Sequence, residues 1–98
     1  MFVAAARVTL RLDASQSLKD KRQVVRSLLQ RLRNEFSVSA AEVATQEKRQ
    51  LATLGLAYVS GDASHAEDVL DNALRYIEET RPDVEFAGVT RELFSLED

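Results

Sequence analysis

The chain has 98 residues, 45% of them hydrophobic and 30% charged, with a net charge of −3. That is one domain of ordinary globular composition, with enough apolar residues for a core of its own. It has no cysteine, which excludes a disulfide framework and a thiolate metal site, and its first apolar run is too short for a signal peptide or a membrane span, so the expected address is the cytoplasm.

Residues 2–12 alternate. Phe2, Ala4, Ala6, Val8, Leu10 and Leu12 point one way, and Val3, Ala5, Arg7, Thr9 and Arg11 the other, which predicts a strand with one buried face. A short polar connection, 13–16, leads into the stretch around which the chain is organised, residues 17–36. There Val25, Leu28, Leu29, Leu32 and Phe36 recur with helical spacing, and Leu18 falls one heptad upstream of Val25. Ser17 is the expected N-cap, with Asp20 a weak capping-box partner. Beside the apolar stripe, Lys19, Arg22, Arg26 and Arg33 share a second stripe with Gln23 and Gln30. The segment has six Lys and Arg against Asp20 and Glu35, a charge of +4, so the rest of the chain is −7. Such asymmetry suits an anionic partner such as RNA; it also suits a solvated face that keeps the protein soluble.

Residues 37–44 are small and β-branched and predict a second strand. The polar stretch 45–50 predicts a hairpin connection, and 51–60 a third strand with Leu54, Leu56 and Tyr58 on one side and Gly55, Ala57 and Val59 on the other. Ser64 and Glu67 have capping-box spacing at the start of a second helix carrying Ala66, Val69, Leu70, Ala73, Leu74 and Ile77. Its polar side is acidic, and Arg81-Pro82 stops it. Residues 84–93 predict the last strand and 94–98 a tail.

The order β-α-β-β-α-β predicts an α+β, ferredoxin-like domain spanning 1–98. A four-stranded antiparallel sheet carries two helices on one face, with the first and third strands at its centre. The helices are expected over Phe2, Val8, Leu10 and Leu12. The other sheet face is too apolar for plain solvent, and its Val3, Arg7 and Arg11 are candidates for contact with a second copy or another protein.

Chemistry is harder to find. Gly55-Leu56-Ala57-Tyr58-Val59 echoes the third strand of the RNA-recognition motif, but Leu54, Leu56 and Gly61 stand where a cation and two aromatics belong. The row 54, 56, 58 is better read as core. His65 is the only histidine and lacks companions for a metal site. Glu67, Asp68 and Asp71 read as a solvated acidic face, and nothing near Gly61 makes a phosphate loop. No cofactor, metal or enzymatic activity is expected.

The segments SLKDKRQVVRSL at 17–28, FSVSAAEV at 36–43, LGLA at 54–57 and Gly61-Asp62 together resemble the YlxP-like family of small bacterial proteins. The resemblance covers nearly the whole chain. It implies a ferredoxin-like domain of unknown function, encoded near translation initiation factor two and a ribosome-binding maturation factor, and hence a link to translation or ribosome assembly. This chain departs from the family after Glu42-Val43. Relatives often read D-x-D-x-W-x-R-A there, whereas here Arg49 takes the aromatic position and Leu51 the basic one, so no site residue carries over from that loop. The leading expectation is a non-enzymatic protein docking on RNA or a ribosomal particle through Lys19, Arg22, Arg26 and Arg33. The rival is a homodimeric module that binds an assembly factor through the open sheet face.

Overall fold

In the computed structural model, which describes residues 1–97, the elements follow the expected order: β1 (Phe2–Arg11), α1 (Leu18–Phe36), β2 (Ser39–Ala44), β3 (Leu51–Ser60), α2 (Ala63–Thr80) and β4 (Glu85–Ser95). The sheet runs β2-β3-β1-β4 with every neighbouring pair antiparallel, so β1 and β3 are central as predicted.

The alternation of β1 becomes a two-sided strand. Ala4, Ala6, Val8 and Leu10 are buried beneath the helices together with Ala52, Leu54 and Leu56 of β3. The helices close over them with Val25, Leu28, Leu29 and Leu32 from α1 and Ala66, Leu70, Ala73 and Ile77 from α2. Alanines on both sheet and helix allow close approach, and the leucines fill the space between the layers. Phe36 meets Tyr76 edge-on at 5.4 Å and joins the two helices.

Ser17 caps α1 as expected, its hydroxyl accepting from the Asp20 amide. The cap of α2 is different. Asp62, in extended conformation two residues past the end of β3, accepts from the His65 amide, so the helix begins before the Ser64–Glu67 pair. Both residues have capping chemistry; the one with extended backbone at the strand exit takes the role. The last strand also runs further than expected. It continues through Phe94 and Ser95, and Met1 and Leu96 then exchange backbone hydrogen bonds. β1 offers an unpaired edge along its whole length, and β4 uses all of it, with a bulge opposite Thr9 and Leu10.

Gly55 has a local reason to be glycine. A Cβ there would sit 2.9 Å from Cγ1 of Val43, which lies over it from the irregular end of β2. The glycine of the apparent RNA-recognition echo is thus a packing requirement between two strands.

Candidate nucleic-acid interface

The periodicity that seats α1 on the sheet also dictates which side chains it displays. Lys19, Arg22 and Arg26 are exposed, and among the described residues none of them lies in an ion pair. Arg33, the fourth member of the stripe, is exposed as well, but its guanidinium is tied to the backbone. Its Nε (3.2 Å) and Nη2 (2.6 Å) both donate to the carbonyl of Ala40 on the edge strand β2. That contact shows which way the stripe faces, along the β2 flank of the molecule.

Lys21 does not belong to the displayed charge. It is fully buried and forms an ion pair with Glu42 at 2.7 Å, while its Nζ also donates to the carbonyls of Thr45 and Gln46. Glu42 Oε2 takes no aligned hydrogen bond, so the contact is electrostatic rather than directional. Lys21 occupies the same face as Val25, Leu28 and Leu32, at i, i+4, i+7 and i+11. The spacing marks it as a core position, and its residue type conceals that. Once Lys21 is withdrawn, the exposed side chains of α1 carry +3.

The acidic cluster on α2 is more than a solvated face. Arg91 of β4 donates to Asp71 Oδ1 and to the Glu67 carbonyl, with the Glu67 carboxylate at 4.0 Å. His65 lies edge-on to Tyr58 at 5.7 Å, with its Nε2 3.4 Å from the tyrosine hydroxyl. Tyr58 therefore faces the helix side, in line with Leu54 and Leu56, and offers no stacking platform.

On the open face, Val3 stands between Val59 of β3 and Phe94 of β4. Val59 and Phe94 are more than half exposed, as are the neighbouring Met1 and Leu96. Arg7, opposite Gly55 and Thr90, is the cation at the centre of this face. Arg11 lies apart from that apolar end. It lines a groove of about 470 Å³ with Asp13, Lys48, Arg49, Gln50 and Leu51, at the pole where the 45–50 hairpin meets the end of β1. Neither the hairpin cations nor this groove follows a spacing pattern; they come together only because β1 and β3 are paired.

Among the described residues no helix is long and apolar enough to cross a membrane. Two solved structures share the architecture. A de novo designed protein with a ferredoxin fold matches with a TM-score of 0.59 at 14% identity, covering 100% of this chain and 96% of that one. A dimeric ferredoxin-like protein from an uncultured marine organism matches with a TM-score of 0.56 at 12% identity over the full length of both. In sequence, the uncharacterized protein YlxP of Bacillus subtilis (strain 168) is 36% identical over 69 residues, covering 70% of this chain and 74% of that protein. The model of the family described as protein of unknown function (DUF503) matches residues 3–91, and the chain belongs to that family.

Proposed function

We propose that this protein is a non-enzymatic, cytoplasmic RNA- or ribosome-associated factor acting in translation or ribosome assembly, with the β2 flank of α1 as its nucleic-acid surface. The observation that carries the reading is the exposure of Lys19, Arg22 and Arg26 without carboxylate partners among the described residues, on a chain of net charge −3. Unpaired cations along one helix flank neutralise phosphates and confer affinity without reading bases. Arg33 contributes less, because its guanidinium is already held by Ala40.

Three phosphate contacts to a single strand give a slope of about −2 in log affinity against log salt, so binding falls roughly 20-fold between 50 and 200 mM salt. Co-sedimentation with ribosomal subunits at those two concentrations tests this. Retention that does not respond to salt, or no association at low salt, refutes it.

A second reading is favoured by a separate observation. The apolar end of the open face, Val3, Val59 and Phe94, suits a second copy of the chain, and one structural neighbour is a dimer. The helices cover the opposite side of the sheet, so self-association there leaves the α1 flank accessible. Sedimentation equilibrium of Val59→Asp against wild type tests it: the variant is expected to be monomeric where wild type is dimeric, and a monomeric wild type removes the reading.

A further inference from the structure

We propose that the groove between the 45–50 hairpin and the end of β1 is a second anion site, independent of α1, that takes the phosphates of a nucleotide. Its walls come from two segments. Lys48 and Arg49 stand on the hairpin and Arg11 on β1, with Leu51 as the apolar element between them and Asp13 as the one carboxylate. Asp13 lies 3.9 Å from Arg11 Nε, at the limit of an ion pair, and among the described residues neither Lys48 nor Arg49 is in an ion pair. The lining is therefore cationic on an acidic protein. Two guanidinium groups provide the forked donors that match phosphate oxygens, and an ammonium adds a point charge. The groove's volume lies within the range of small-molecule sites.

What distinguishes this groove from scattered surface cations is the fixation of its frame. Behind the hairpin, buried Lys21 holds the carbonyls of Thr45 and Gln46. At its other end the Gln50 side chain donates to the carbonyls of Asp13 and Ser15, both at 3.2 Å, and the Gln50 carbonyl accepts from the Leu12 amide at 2.9 Å. Thr45 itself is held in the left-handed region at φ 65°, where its hydroxyl accepts from the Thr53 amide. A β-branched residue is disfavoured there and persists only where surrounding contacts over-determine it, a pattern that clusters at ligand clamps and switch regions. The hairpin is thus set before any ligand arrives, with its cations facing Arg11 across the groove.

The phosphates can belong to a free nucleotide or to an RNA strand, and the test has an arm for each. The ¹⁵N-labelled protein is titrated with ADP and, separately, with a short single-stranded oligouridylate, using wild type, Lys48→Ala/Arg49→Gln, Arg11→Gln and the helix variant Arg22→Glu/Arg26→Glu. ADP is expected to shift amides at 11–13 and 48–51, with affinity reduced at least about tenfold in the hairpin variant, less in Arg11→Gln, and unchanged in the helix variant. Oligouridylate shifts at the same amides, lost in the hairpin variant while ADP leaves them untouched, assign the phosphates to a strand. If neither ligand moves these amides at millimolar concentration, or if the shifts survive both groove variants, the site does not exist. All three cations are exposed, so the variants retain the fold, and thermal melting verifies that. Loss of the α1 surface alone shows only in the helix variant with oligouridylate, so the failure of one reading is separable from the failure of the other.

Discussion

The two helices of this domain pack on the same sheet face with opposite charge, and each is answered only in part by the edge strand beside it. Ala63–Thr80 carries a net charge of −4, and Arg91 reaches over from the neighbouring edge strand to hold Asp71 and approach Glu67. Leu18–Phe36 carries +4, and the edge strand beside it supplies one carboxylate, Glu42, which buried Lys21 already occupies. Lys19, Arg22 and Arg26 are therefore left over. A charged helix face points to a partner only after the neighbouring strands have been checked for counter-charges. By that criterion Glu67 and Asp71 are answered within the fold, whereas Asp68, Glu78 and Glu79 on the acidic helix, like Lys19, Arg22 and Arg26 on the basic one, lie in no ion pair among the described residues.

Four experiments test how far each charge is met within the fold. The largest effect is expected from Lys21→Ala, which strands a largely buried carboxylate; urea denaturation should show a loss of about 3 kcal/mol, with the Lys21→Met/Glu42→Leu double variant recovering most of it. A smaller loss from the single variant would mean that Glu42 finds water, and the contrast between answered and unanswered charge would weaken. Next, Arg22→Glu/Arg26→Glu should lower RNA or ribosome affinity about 100-fold at low salt, whereas the matched reversal Glu78→Lys/Glu79→Lys should change it less than about threefold. Equal responses in filter binding would show that net charge matters and the location of the face does not. Third, on the open face of the sheet, away from the helices, Gly55→Ala should cost about 1–2 kcal/mol through its collision with Val43, relieved by Val43→Ala. The smallest effect belongs to Arg91→Ala. Its partners are about half exposed, so the melting shift should correspond to less than about 1 kcal/mol and should shrink as salt rises.

Most of the architecture was legible because it rests on periodicity. Alternation in residues 2–12 told the buried face from the open one, and helical spacing in residues 17–36 placed Val25 to Phe36 inward. What escaped prediction depended on competition or on distant partners. Asp62 and Ser64 both have capping chemistry, and only the backbone conformation after β3 decides between them. Lys21 was countable as a core position, but a charged residue at that position makes sense only once Glu42 is seen across from it. The acceptor of Arg33 is a backbone carbonyl, which no residue pattern announces. The groove at the hairpin pole joins residues nearly forty positions apart, from Arg11 to Arg49, and strand pairing alone brings them together.

The grip of Arg33 on Ala40 has a consequence of another kind. β2 borders the sheet, and an outer strand with free carbonyls is a template on which another chain can add itself and start fibrous growth. The Arg33 guanidinium, held on a carbonyl near the start of that strand, places a cation beside the edge that an incoming strand would approach. The residue that contributes least to the proposed RNA surface thus sets a charge at the sheet border, one of the features that disfavour edge-to-edge pairing.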